Sequence, residues 1–390
     1  MTEERYDNVF IFGAGVSSDA GVPLLGNFVE TMTQLAARDK GPLSPHELGI
    51  LRKALDIRGR IEKYHSRANL DQFNIEDILS VLAFDALGSE DADSDFALMK
   101  AAVSTTIEHC CKFKRISETD TNKLFFAKGD LGNYATFWKS VLKPGGNAQA
   151  PAILTFNYDL VLERSLWWHV HEPGRNVPVP AAITLGEISH DGKDLTLKLD
   201  QSEVSMGGFN QGQPFKVWRP TFTYDACNSG VRIPYLKLHG SLSWPAEAPD
   251  DHSFNLTEVV PNPLIIPPAF NKTIEGHMRG VWSRALEVLR GARNVIFVGY
   301  SFPETDTYVR YFLKAGLGGA SKLNKIFIFD PKLWKDDEEA HRMEERYSLC
   351  VAHNFLKQVE FHPEQTEYSV GTFAHFVNLL GERPGTILFQ

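Results

Sequence analysis

Three polar side chains follow short apolar runs in a way that could organise a reaction. Asn157 and Asp159 close the stretch AILTFNYD (152–159), and His239 follows YLKL (235–238). An imidazole titrates near neutral pH and can serve as a general base. An amide can orient a water or a hydroxyl, and a nearby carboxylate can orient that amide or cap the next helix. Taken singly, each has a plain structural reading: a lone histidine after an apolar run is more often structural, and Asn or Asp there commonly caps a helix. The coincidence is more informative. Gly299 and Ser301 follow NVIFV (294–298), and Asp330 follows KIFIF (325–329).

A further stretch, VFIFGAGVSSDAGVP (9–23), joins an apolar run to small residues. Gly13 and Gly15 let another group approach the backbone closely. Ser17, Ser18 or Asp19 could cap a helix that starts there. Strand, glycine turn and helix start together make an anion site of exposed N–H groups. The spacing departs from the G-x-G-x-x-G dinucleotide fingerprint, because the next glycine, Gly21, lies six positions after Gly15. An ordinary strand-to-helix turn fits this stretch equally well.

The elements that position these residues are legible as a pattern. Apolar runs at 9–12, 152–156, 235–238, 263–267, 294–299 and 325–330 alternate with helical spacings such as GVWSRALEVLRGA (280–292) and DTYVRYFLKAG (306–316). Continuous apolar strands alternating with helices predict an α/β fold with a parallel sheet covered on both faces. Ligands of such sheets bind at the carboxyl ends of the strands, where the polar residues above would lie. Residues 29–149 carry helical periodicity and few strand signals, as in NIEDILSVLAFDAL (74–87) and DFALMKAAVSTTIEHCCKF (95–113). They predict a helical module inserted after the first strand and helix, broken at GPLSP (41–45) and GSEDADSD (88–95) and returning through the linker KPGGNAQAP (143–151). Residues 1–28 and 150–390 then form the sheet domain, with a smaller insertion over 172–232 in which LTLKL (195–199) suggests β-structure. A charged helical stretch, KDDEEAHRMEERYSL (335–349), precedes closing strand and helix elements.

Composition narrows the function classes. The 390 residues are 43% hydrophobic and 23% charged, an ordinary globular balance. A net charge of −9 and a pI of about 5.8 give no global basic field, so direct nucleic-acid binding is not expected. KFKR (112–115) is read as a solvated helix face. Cys110, Cys111, Cys227 and Cys350 form no C-x-x-C pair, which predicts neither a zinc ribbon nor a disulfide framework. The start MTEERYDN lacks a signal-peptide pattern, and no run of about 18 apolar residues occurs. A soluble, cytoplasmic chain without a membrane span is expected.

The ordered motifs resemble the sirtuin family. GAGVSSDAGVP is similar to its GAG…Ser…AG-Val-Pro fingerprint, TFNYD (155–159) to its Thr-Gln-Asn-Ile-Asp stretch, KLHGS (237–241) to its His-Gly, and GYS (299–301) to its Gly-Thr-Ser. NIEDILS, IIPPAFNK (265–272) and GYSFPETD (299–306) resemble the bacterial sirtuin-like branch of anti-phage defence proteins. That resemblance implies a Rossmann-like sheet that takes NAD⁺ as substrate. It implies contacts from Gly13, Ala14, Gly15 and Ser17 to phosphate and ribose, with Asp19, Pro23 and Gly299 beside them and Ser301 and Asp330 towards the adenosine half. Asn157 and His239, with Asp159 in support, would carry cleavage to nicotinamide and ADP-ribose. The sirtuin deacylases follow the proline with Asp-Phe-Arg and carry four zinc cysteines. Here Leu24, Leu25, Gly26, Asn27 and Phe28 follow Pro23, and the cysteine set is absent. Both departures favour NAD⁺ hydrolysis without zinc over deacylation or ADP-ribosyl transfer, and a non-catalytic NAD⁺ or ADP-ribose sensor is the other alternative. The same branch implies a homo-oligomer, a HerA-type ATPase or other sensing subunit as partner, and abortive infection by NAD⁺ depletion.

Overall fold

The computed structural model of the chain describes residues 5–38, 43–62, 71, 73–88, 90–115, 125–127, 131–142, 150–171, 182–188, 194–204, 215–223, 231–246, 258–266, 277–304, 306–335, 337–363 and 370–382. Six strands make the central sheet: β1 (Tyr6–Phe12), β2 (Ala152–Thr155), β3 (Tyr235–Lys237), β4 (Ala292–Val298), β5 (Lys325–Phe329) and β6 (Val359–Glu360). Their spatial order is β6-β5-β4-β1-β2-β3, and each neighbouring pair is parallel. This is the doubly wound order of a Rossmann-type sheet, which reverses direction between β1 and β4. A crevice opens at that switch point, beyond the carboxyl ends of the two strands.

The continuous apolar runs are explained by burial on both faces. Phe10, Phe12, Ile153, Ile296, Val298, Phe327 and Phe329 point into one core, while Val9, Ile11, Leu154, Val295, Phe297, Ile326 and Ile328 point into the other. The period-2 alternation of a strand divides each run between two covered faces. On the second face lie α8 (His277–Arg290), α9 (Thr307–Gly319) and α10 (Glu338–Ser348), through residues such as Val281, Leu313 and Met343.

The first face carries the helical module and two later helices. Between β1 and β2 the chain forms α1 (Gly15–Ser18), α2 (Phe28–Ala36), α3 (Pro45–Glu62), α4 (Ile75–Asp85), α5 (Glu90–Cys110) and α6 (Gly132–Leu142). With α7 (Val161–His171) and α11 (Phe373–Glu382), their apolar stripes share one core with the sheet. The module is therefore packed onto the sheet rather than tethered beside it. Tyr134 of α6 makes the tie specific: its hydroxyl donates to the Val16 carbonyl at 2.6 Å and accepts from the Ala20 N–H at 3.2 Å.

Several sequence expectations are corrected. PLIIP does not join the parallel sheet; Pro263–Ile265 pairs antiparallel with Gly240–Pro245, and Val359–Glu360 supplies the sixth strand instead. A proline has no N–H to give a central ladder, which suits it to that small pairing. The break expected over 88–95 is confined to its start: α4 ends at Asp85, Gly88 lies in a turn, and α5 already begins at Glu90, so the acidic residues 90–95 are helical. KFKR is no helix face: Phe113–Arg115 is a short strand, anchored by the buried Phe113 ring beside Tyr134 and Trp168. Most of the linker, 143–149, lies outside the described residues, as does Cys227. Within 172–232 the strands Ala182–Ile188, Asp194–Val204, Phe215–Thr223 and Val231–Ile233 form a separate small sheet, which takes in LTLKL.

Removing the Tyr134 hydroxyl should leave a buried carbonyl and a buried N–H without their partner, at a cost of about 1–3 kcal/mol. Denaturant unfolding of Tyr134→Phe measures this. A loss below the noise of the extrapolation would mean that the module does not lean on this contact.

Candidate active site

The loop after β1 and the loop after β4 meet backbone to backbone at the switch point. Gly13 N–H donates to the Val298 carbonyl at 3.1 Å and Gly15 N–H to the Gly299 carbonyl at 2.9 Å. A Cβ on Gly15 would lie 2.6 Å from the Gly299 Cα, and Gly299 itself sits at φ +62°. Neither position has room for a side chain, and the second requires a left-handed backbone. This corrects the reading of the glycine loop as a cradle of exposed N–H groups. The helix that follows is a single turn, and the Val16 and Ser17 N–H groups are already bonded to the Gly13 and Ala14 carbonyls at 3.0 Å each. What the loop offers a ligand is the smooth surface of Gly13 and Ala14.

Asn157 is locked to this loop. Its Nδ2 donates to the Gly13 carbonyl at 2.8 Å and to Ser17 Oγ at 3.1 Å, and its own N–H is held by Thr155 Oγ1 at 3.1 Å. A carbonyl can only accept, so the amide orientation is fixed and Oδ1 is left as its acceptor. Asn157 lines a cleft of about 950 Å³ empty volume, mouth included, together with Gly13, Ala14, Pro23, Asp159, His239, Gly299 and Ser301. The fold thus brings most of the candidate residues into one place, from four strand ends distant in sequence.

His239 follows β3 in a turn that needs glycine. Gly240 lies at φ +82°, and a Cβ there would press on the Leu264 carbonyl oxygen at 2.1 Å. The His239 carbonyl accepts from Ile266 N–H at 2.9 Å, which pins the turn to the neighbouring strand. The imidazole is largely buried, with its ring 5.1 Å from that of Phe156, which in turn stacks on Tyr300 at 4.5 Å. Tyr300 donates its hydroxyl to Asp306 Oδ2 at 2.7 Å. Burial, reinforced by the Asp306 charge, pushes the Tyr300 hydroxyl well above its usual range and keeps it a neutral donor.

A buried ion pair supports the cleft floor. Lys237 Nζ donates to Glu163 Oε1 at 2.6 Å and also to the Asp159 carbonyl, and both charged side chains are almost wholly enclosed. Lys237 lies two residues before His239, and Asp159 two residues after Asn157, so the pair ties the two loops together. Burial pushes the Glu163 carboxyl up while Lys237 pulls it back. The Asp159 carboxylate lines the cleft, but Oδ1 accepts from Val161 N–H at 3.0 Å and so caps α7.

Gly15, Ser17, Asp19 and Asp330 are not among the cleft residues. Gly15 and Ser17 work behind the loop as described. The Asp19 carbonyl accepts from Lys112 Nζ at 2.6 Å. Asp330 is buried, with Oδ1 accepting from Lys332 N–H at 2.9 Å, and burial pushes its carboxyl up. It caps the turn after β5, one strand farther from the switch point. Cleft residues that the strand-end pattern did not single out are Phe156, Tyr158, Tyr300 and Asp306, and the wall of Val22, Leu25, Phe28, Ile75, Glu76, Leu79 and Ile107. Among the described residues, no group of three or more His, Cys, Asp and Glu side chains could hold a metal ion. No helix is long and apolar enough to cross a membrane among those residues.

Comparison with known proteins adds a family. A family model described as a SIR2-like domain matches residues 151–352, just over half of the chain. A solved Sir2 homologue, a mutant in complex with ADP ribose, is 15% identical, with 88% of this chain and 91% of that chain covered at a TM-score of 0.25. No curated protein matches the chain.

Replacing Lys237 alone should strand the Glu163 charge in the interior. Lys237→Met is expected to cost about 3–5 kcal/mol, and the double variant Lys237→Met, Glu163→Met to recover most of it. Urea unfolding of the wild type, both single variants and the double variant tests this; strictly additive losses would show that the two groups do not act as a pair.

Proposed function

The chain belongs to the SIR2-like domain family, and from that premise we propose that its cleft binds NAD⁺ and hydrolyses the bond between nicotinamide and ribose. The observation that carries the reading is the convergence of Asn157 and His239 on one cleft at the switch point between β1 and β4.

The chemistry asks little of an acid. The nicotinamide ring of NAD⁺ is already cationic, so when the C1′–N bond breaks its electron pair neutralises the ring. The ribosyl group is left as an oxocarbenium-like cation. A water adds at C1′ and gives up a proton, so one water is consumed and one proton released with nicotinamide and ADP-ribose. The protein supplies geometry and exclusion of bulk water. Asn157 Oδ1 accepts from the water or from a ribose hydroxyl, because Nδ2 is committed to Gly13 and Ser17. His239 takes the proton. Gly13 and Ala14 give the diphosphate a wall with no side chain larger than a methyl, Gly299 lies beside them, and Ser301 lies towards the adenosine half. Asp159 holds the start of α7 and hence the Asn157 loop.

Hydrolysis is favoured over deacylation by two features of the chain. Leu24, Leu25 and Gly26 stand where the deacylases carry Asp-Phe-Arg, and helices α4 and α5 contribute a cleft wall through Ile75, Glu76, Leu79 and Ile107. We extend the proposal to the biology that the motifs resemble: an effector of bacterial anti-phage defence that depletes NAD⁺ as a homo-oligomer, held in check by a HerA-type ATPase or another sensing subunit.

Incubation of the purified chain with NAD⁺ alone, with no acceptor protein, should release nicotinamide and ADP-ribose. His239→Ala and Asn157→Ala should each lower that rate by ~10²–10⁴-fold, with wild-type unfolding midpoints for His239→Ala. Wild-type turnover by both variants would refute the assignment. Binding of NAD⁺ by the wild-type chain without product would make the cleft a sensor.

A further inference from the structure

We propose that Glu76 is a further substrate-facing group, an anionic side chain that the helical module places against the nicotinamide–ribose end of the cleft to stabilise the positive charge developing at C1′. The inference rests on the NAD⁺ reading above and deepens it. Glu76 belongs to the first turn of α4, which is set by Asn74: its Oδ1 accepts from the Glu76 N–H at 2.9 Å. Ile75 and Leu79, one turn apart, bury their side chains beside it, so the register of the turn is fixed by packing. Half-buried, Glu76 then lines the cleft with Asn157, Asp159, His239 and Tyr300.

Its charge reaches across the cleft. Tyr158 and Tyr300, on loops leaving β2 and β4, both feel the Glu76 carboxylate, which adds to burial in holding their hydroxyls protonated. In a cleft walled by Val22, Leu25, Phe28 and Ile107, a fixed anion acts on a developing cation far more strongly than it would in water. A neutral leaving group and a cationic sugar are the pair that such an anion discriminates: it stabilises the charge while it sits on C1′, after the ring has lost it.

The competing account is helix electrostatics, since acidic residues are favourable in any first turn. Asp77 separates the two. It shares that turn and accepts from the Asp71 N–H at 3.2 Å, but it does not line the cleft. Glu76→Gln should lower kcat for NAD⁺ on the order of 10²-fold with little change in KM. Glu76→Asp should recover part of that loss, and Asp77→Asn should keep the wild-type rate. Affinity for ADP-ribose, which carries no cationic ring, should be the same in Glu76→Gln as in the wild type by calorimetry, which also reports on folding. Wild-type kcat in Glu76→Gln, or an equal loss in Asp77→Asn, overturns the inference alone. A wild-type chain that releases no nicotinamide overturns the NAD⁺ reading and this inference with it.

Discussion

The loops leaving β1 and β4 touch where no side chain can stand between them. Gly15 packs on the Gly299 backbone, Gly13 N–H reaches back to β4, and Gly299 N–H donates to the Phe329 carbonyl of β5 at 2.8 Å. Three adjacent strand ends are thereby drawn to one point. The depth of the crevice follows from that contact, because any larger residue would wedge the loops apart. Asn157 then inherits its position, since the carbonyl it donates to belongs to the same loop. The amide is placed by backbone geometry rather than by side-chain packing, which suits a group that must hold its acceptor still during a reaction.

Around this point the fold spends buried polar groups to fix loops. Lys237 and Glu163 join the His239 turn to the start of α7, Tyr300 and Asp306 join the loop after β4 to α9, and Tyr134 joins α6 to the glycine loop. Each is costly to leave half-made in a low-dielectric interior, so each specifies one arrangement. The helical module takes part in the same scheme. It covers one sheet face with its apolar stripe and turns a second edge, from Ile75 to Leu79, towards the cleft.

Much of this was legible in the chain, for identifiable reasons. A strand buried on both faces must read as a continuous apolar run, and VFIF, NVIFV and KIFIF do. A parallel sheet collects ligands at its strand ends, which is why Asn157, His239, Gly299 and Ser301 could be picked out together. The glycines announced a close approach, but a sequence does not say what approaches, and here it is the Gly299 backbone. Asp330 carried the signal of a strand-end carboxylate, which caps and ligand contacts share. The order of the strands, unreadable from the residues, decides that β5 ends away from the switch point. Glu76 was hidden because an acidic residue in a first turn is ordinary. Tyr300 and Asp306 pair across a loop in which Phe302 takes a left-handed φ of +49°, a conformation that no local rule anticipates for a bulky residue.

Catalysis by Asn157 and His239 requires the dinucleotide to lie against both of them. A crystal structure of the His239→Ala variant with NAD⁺ bound tests it most directly. The ribose C1′ should lie over Asn157 beside the space vacated by the imidazole, with the diphosphate against Gly13 and Ala14. A dinucleotide bound elsewhere, or one whose nicotinamide riboside points away from the 157/239 pair, would contradict it.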